Sequence, residues 1–225
     1  MPSQTAFVPT AGVDLTPSVV VQFPLQGRQL PADHGYALYS AVTRALPELH
    51  GQPWLGLELV SGVPWREGLI ALPARGAALR LRVPADRYGR LLPLAGRRLE
   101  IAGHILRLGI PTARPLQPAP SLYARCVTIK KFTEPEPFLD AARRQLEALG
   151  LNAALELPVA DDGRVRRRVI SIRDRRVVGF ALAAHGLNDP DSLLLQTHGL
   201  GGRRSMGCGH FNPIVRQIIE GRDDS

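Results

Sequence analysis

Cysteine is nearly absent from this chain: Cys126 and Cys208 are the only two among 225 residues. Two cysteines exclude a disulfide framework of the secreted-domain kind. Cys208 and His210 alone do not make a zinc spacing, so no metal site is expected. Aromatic residues amount to only 5%, which argues against a sheet that binds nucleic acid mainly by stacking bases. Lysine accounts for two of the 28 basic residues, Lys130 and Lys131. No apolar run approaches the roughly 20 residues that span a bilayer. Met1 to Thr10 has neither a basic n-region nor an apolar core, so a cytoplasmic protein without membrane contact is expected.

What is present is arginine. The formal charge is +8, with a pI near 10.4. That balance suits a polyanionic partner, since each cation placed at a phosphate releases a counterion. Apolar residues make up 44%, enough for a packed globular chain.

The hydrophobic pattern predicts an α+β protein. Val19 to Phe23 is a β-branched run that reads as a strand, and Pro24 to Pro31 as a loop. Asp33 stands where a helix N-cap belongs, and apolar residues at helical spacing run from there to Leu46 before Pro47. Strands are expected at Leu55 to Val60, Gly68 to Leu72 and Leu79 to Val83. A second helix is expected at Pro84 to Leu94 and a closing strand at Arg98 to Ile110. The order is β-α-β-β-α-β, the ferredoxin-like arrangement.

Pro118 and Pro120 mark a linker, and the order then repeats. Ala124 to Lys130 reads as a strand and Glu134 to Leu149 as a helix, with acids and Pro137 at its start and Gly150 after it. Leu151 to Leu157 reads as a strand. Val165 to Ile172 and Val177 to Ala184 form a hairpin around Arg173 to Arg176. A short helix at Pro190 to Thr197 and a final strand at His210 to Val215 complete the pattern. Two tandem ferredoxin-like halves, residues 16–115 and 122–216, are the expected organisation.

The densest chemistry lies in Gly199-Leu200-Gly201-Gly202-Arg203-Arg204-Ser205-Met206-Gly207-Cys208-Gly209. Glycines let the backbone approach a ligand, exposed N–H groups can receive phosphate oxygens, and Arg203 and Arg204 add charge. A P-loop would need Gly-Lys-Ser/Thr, which is lacking. A dinucleotide fingerprint would need glycine where Arg204 stands. No nucleotide cofactor is expected, and a longer polyphosphate chain fits better.

This stretch resembles the C-terminal glycine-rich motif of the RAMP superfamily of CRISPR proteins, G-h-G, five residues, G-h-G, with Leu200 and Cys208 at the hydrophobic positions. The sequence is similar in particular to the repeat-processing endoribonucleases of that superfamily. The match is sharpest there and around Pro31-Ala32-Asp33-His34-Gly35-Tyr36. The resemblance implies two ferredoxin-like folds and metal-free cleavage of CRISPR repeat RNA in precursor transcripts. It implies products with 5′-hydroxyl and 2′,3′-cyclic phosphate ends, and a catalytic histidine near the start of the first helix, here His34. Its rival within the superfamily is a non-catalytic RNA-binding subunit of an effector complex.

The residues themselves suit that chemistry. Cleavage through the 2′-hydroxyl needs a proton removed and another supplied, and an imidazole titrates in the right range. Tyr36 and Tyr39, three residues apart on one helix face, are candidates to orient His34 or stack a base. His198, beside the glycine stretch, is the second histidine candidate, while His50, His104 and His185 are read as having no catalytic task. Gly199, Gly201, Gly202, Arg203, Arg204, Ser205, Gly207 and Gly209 are expected to hold RNA. So are Lys130 and Lys131 at a strand end, and Arg166, Arg167 and Arg168 within the basic hairpin.

Overall fold

The computed structural model describes residues 16–214. Strand β1 (Ser18–Gln26) is the axis of the first half. Its inward residues Val21, Phe23 and Leu25 alternate with outward ones, so one face packs and the other stays open. After β2 (Gln29–Pro31), helix α1 (Gly35–Ala45) lays Leu38, Ala41 and Val42 on that packed face. Strands β3 (Gly56–Leu57), β4 (Val63–Pro64), β5 (Leu69–Ala71) and β6 (Ala78–Pro84) follow. Then come β7 (Arg98–Ile101), β8 (His104–Leu108) and β9 (Thr112–Pro115).

The main sheet runs β3-β6-β1-β8-β7, with β9 pairing the other end of the β1 edge that β8 uses. All of its pairings are antiparallel. Taking the elements as first, second, third and fourth strands, the order is 2-3-1-4, the ferredoxin-like sheet. The second half repeats it. Strands β10 (Ser121–Val127), β11 (Ala154–Glu156), β12 (Arg167–Ile172), β13 (Arg175–His185) and β14 (Asn212–Pro213) form a sheet in the order β11-β13-β10-β14. Its helices are α2 (Pro135–Ala148) and α3 (Asp189–His198). Phe138 and Phe180, ring centroids 4.8 Å apart, centre its core.

Several expectations need correction. The closing strand at Arg98 to Ile110 is a hairpin, β7 against β8, followed by β9. Ala102 and Gly103 both have positive φ (48° and 80°), the signature of a two-residue hairpin turn. The expected second helix is a 3-10 segment, Ala85–Leu94, and Pro93 inside it has no N–H to continue an α-helix. It still buries Leu91 and Leu94. The expected loop at Pro24 to Pro31 is largely strand. The stretch around Leu69 leaves the main sheet and joins β2 and β4 in a separate three-stranded sheet. Of the last expected strand, only Asn212–Pro213 pairs, and Val215 lies outside the described residues.

A buried arginine joins the two halves. Arg82 on β6 is 1% exposed. Its Nη1 donates to the carbonyls of Gln196 (2.6 Å) and Phe211 (3.0 Å). Its Nη2 donates to Glu58 Oε1 (2.6 Å) and Asn212 Oδ1 (2.8 Å). One guanidinium thus ties the first sheet to the end of α3 and to β14, using its fixed fork of donors.

Candidate active site

A groove of about 900 Å³ lies between α1 and the tip of the β12–β13 hairpin. Tyr36, Tyr39, Ser40, Thr43, Arg44 and His50 line it from the first half. Ile172, Arg173, Asp174, Arg175, Val177, Arg203 and Met206 line it from the second.

Two polar contacts hold the hairpin tip over the start of α1. Asp33 Oδ2 accepts the Ser171 N–H at 2.6 Å. Arg173 Nε donates to the Tyr36 hydroxyl at 3.0 Å. That bond, more than any other influence, pulls the Tyr36 phenol below its ordinary pKa, because it favours the phenolate. Asp33 was expected to cap α1. The helix instead has His34 at its N-cap with no side-chain cap bond, and the Asp33 carboxylate reaches across to the other half.

His34 stands at the N-cap of α1. It is 1% exposed. The Val60 N–H donates to Nε2 at 3.0 Å, so Nε2 carries no proton. Nδ1 must then carry it, and donates to the Pro31 carbonyl at 2.7 Å. Burial lowers its pKa; the Pro31 bond opposes this, Arg125 adds to it and Asp33 opposes it. Both nitrogens are committed to backbone, which pins the approach to α1 against the segment after β3. In this conformation the helix-start histidine ties the start of α1 to neighbouring backbone.

The exposed imidazole of the groove is His50, which the sequence reading left without a task. It follows the 3-10 turn Pro47–Leu49. Its ring leans on Tyr39 at 5.9 Å between centroids, tilted by 33°. The Tyr39 hydroxyl accepts the Gly51 N–H at 2.9 Å, fixing the turn that presents His50. The only sequence signal was a histidine beside glycine after a helix end.

The glycine-rich loop is built otherwise than expected. The N–H groups of its glycines are bonded within the protein. Gly199 donates to Leu195 O, Gly201 to Gln145 Oε1 (2.7 Å), Gly202 to Thr128 O (2.9 Å) and Gly209 to Cys126 O (2.8 Å). Gly207 and Cys208 donate to the Arg204 and Arg203 carbonyls. The glycines serve packing: at Gly199, Gly201, Gly207 and Gly209 φ is positive, and an added Cβ would meet Gly209 O, Thr128 O, Leu59 and Leu200 O respectively. Leu200 and Cys208 are buried, and Cys208 Sγ lies 3.8 Å from Cys126 Sγ on β10. Both thiols are free.

The loop's two arginines part company. Arg203, in the left-handed region at φ 63°, is exposed and lines the groove. Arg204 turns inward and donates to Thr197 O at 2.6 Å. Burial, with Arg82 nearby, pulls its pKa down to about 10. His210 donates from Nε2 to the Arg204 carbonyl at 2.7 Å. Burial first, then Arg82 and Arg204, pushes its pKa down to about 3. Ser205 lies half-buried in the 3-10 turn Arg204–Met206.

The remaining expected RNA contacts do not line the groove. Arg166, Arg167 and Arg168 are exposed at the base of the hairpin, while its tip supplies Arg173 and Arg175. Lys130 and Lys131 are exposed just beyond Thr128, which bridges to Gly202. His198 lines a different cavity of about 150 Å³, with Trp54, Arg82 and Arg204 among its neighbours.

Two ferredoxin-like sheets joined in tandem and locked by a glycine-rich loop define a protein of the RAMP type. Solved structures share that fold: a CRISPR-associated protein Cas6 (TM-score 0.62, 15% identity) covers 88% of this chain and 100% of its own. A Cas6-related protein from Pyrococcus furiosus (TM-score 0.61, 14% identity) covers 88% and 98%. The family model for Cas6, a CRISPR family, matches residues 19–216. A CRISPR-associated endonuclease Cas6 from Myxococcus xanthus (strain DK1622) is 46% identical over 194 residues, 86% of this chain and 80% of that one. The chain belongs to the Cas6 family of CRISPR-associated endonucleases.

Proposed function

We propose that this chain cuts CRISPR repeat RNA in precursor transcripts without a metal, in the groove between its halves. It leaves 5′-hydroxyl and 2′,3′-cyclic phosphate ends. The observation that carries this reading is the lining of the groove: an exposed imidazole, two phenols and four arginines drawn from both halves.

The 2′-oxygen attacks the adjacent phosphorus, its proton leaves, and the departing 5′-oxygen takes one. His50 accepts the first proton through its ring, which is exposed in the groove. The Tyr36 oxygen accepts the Arg173 N–H, which leaves its own O–H to donate to the leaving oxygen. Arg173 and Arg203 face the charge that develops on the phosphorane. Tyr39 supports His50 from beneath. Residues 16–115 and 122–216 act as the two jaws, and Arg166, Arg167, Arg168, Lys130 and Lys131 meet RNA outside the groove. His34 contributes by fixing the start of α1, and the glycines by holding Arg203 in place.

The test is cleavage of end-labelled repeat RNA in EDTA by wild type, His50→Ala and His34→Ala, with a 2′-deoxy substitution at the cut. His50→Ala should lose about 10²–10⁴ in rate with melting temperature and RNA affinity kept. His34→Ala should lose activity only in step with its folded fraction. The deoxy RNA should not be cut. Full activity of His50→Ala, or a soundly folded His34→Ala with no activity, would return the role to His34. Tight binding without cutting by wild type would favour an RNA-binding subunit instead.

A further inference from the structure

The β7–β8 hairpin spends charge that the fold does not need. Leu99, Ile101, Leu106 and Leu108 turn into the core. Arg98 and Arg107 lie on the other face and are exposed. They stand directly opposite each other in the ladder. Like charges in that position repel and destabilise a sheet. Neither joins an ion pair among the described residues.

Arg98, which Arg107 faces in the ladder, lines a groove that adjoins the one already described. This second groove, of about 390 Å³, is lined by Ala41, Arg44, Ala45, Arg98, Leu99 and Glu100. Arg44 lines both grooves. Its Nη2 donates to the Glu100 carbonyl at 3.0 Å, which anchors the side chain at the junction. The basic residues then run in sequence: Arg173 and Arg203, Arg44, Arg98, Arg107. None of the residues lining the second groove is aromatic. The site therefore suits backbone phosphates, which guanidinium forks bind in pairs, and not stacked bases.

We propose that single-stranded RNA leaving the cleavage groove passes over Arg44 at the end of α1 and is held by its phosphates on Arg98 and Arg107. A single file of cations matches one strand, where a duplex would need cations on both sides of a groove. Contact through phosphates positions RNA without reading its sequence. The track thus adds affinity for a repeat still attached to flanking transcript. This inference rests on the proposed reading of the groove as the site of RNA cleavage.

The experiment uses the full chain and three RNAs: the repeat alone, and the repeat with a ten-uridine tail at its 5′ or its 3′ end. Affinity is measured across a salt series for wild type, Arg98→Ala/Arg107→Ala and Arg98→Glu. Wild type should bind one tailed RNA more tightly than the bare repeat. The double variant should lose about tenfold on that RNA and bind tailed and bare forms alike. Its salt slope should fall by about 1.4, for two single-strand phosphate contacts. Arg98→Glu should melt higher than wild type, because it makes an opposite-charge pair with Arg107, and still lose the tail's contribution. That combination separates an RNA contact from a structural one. Tails that add nothing to wild-type binding overturn the track and leave the cleavage reading standing. So does an equal loss on tailed and bare RNA. A wild type that neither binds nor cuts the bare repeat overturns both.

Discussion

Arg82→Leu should uncouple the halves. The guanidinium is 1% exposed and donates four hydrogen bonds, two to carbonyls and two to side chains. Leucine keeps much of the apolar stem and none of the donors. Glu58, whose side chain is 12% exposed, is left as a carboxylate without its cation. Breaking a buried pair from one side costs about 3–5 kcal/mol. Orphaning the Gln196 and Phe211 carbonyls adds up to about 1–3 kcal/mol each where water does not reach them. The broken pair alone, at about 3–5 kcal/mol, would consume much of a stability of about 5–15 kcal/mol. Urea unfolding followed by tryptophan fluorescence and circular dichroism measures it. The two probes should coincide for wild type and separate for the variant, because its halves no longer unfold together. Glu58→Gln alone should cost less, since the carbonyl bonds to Arg82 survive. The double variant should fall short of the sum of the two by about 1–3 kcal/mol. A loss below about 1 kcal/mol with coincident transitions would sink the idea that this arginine joins the halves.

Two further outcomes follow from the same region. Gly207→Ala and Gly209→Ala should each cost more than about 1 kcal/mol, because φ is positive and a Cβ meets neighbouring atoms, whereas Gly202→Ala, with open space around it, should be neutral in both melting temperature and RNA affinity. Acid should destabilise the protein through His210, which stays neutral down to about pH 3 when folded but takes a proton near pH 6.5 when unfolded. Its contribution is whole above pH 6.5 and shrinks as pH falls, by about 2 kcal/mol at pH 5, so His210→Asn should flatten the pH dependence of stability between pH 7 and 4.

Much of the architecture was legible because burial writes itself into the sequence as periodicity. Val21, Phe23 and Leu25 alternate with outward residues on β1, and Leu38, Ala41 and Val42 recur at helical spacing on α1. Both patterns survive folding because each element packs one face. The errors fell where local chemistry overrode pattern. Apolar alternation across Arg98 to Ile110 continued through Ala102-Gly103, and only the positive φ of both residues breaks it into a hairpin. Pro93 and Gly89 weakened an α-helix to a 3-10 segment that buries the same leucines.

The candidate site was legible by residue type and not by geometry, for one physical reason. Glycine and histidine are both chosen for what they do to backbone, and sequence does not show whether that backbone faces solvent or protein. The glycines of the loop suggested N–H groups open to phosphate, yet those groups bind Cys126 on β10, Thr128 just after it, α2, α3 and the loop's own carbonyls. The missing Cβ atoms allow close approach, with Arg203 at the groove and Arg204 drawn inside. His34 suggested a base at a helix start, yet it accepts one backbone N–H and donates to one carbonyl, which a neutral imidazole does from opposite ends of its ring. His50 carried no motif: what sets it apart is exposure, Tyr39 beneath it, and a hairpin from the far half that brings Arg173 to the same groove. A residue whose partners arrive from more than a hundred positions away in the chain leaves no local spacing to read.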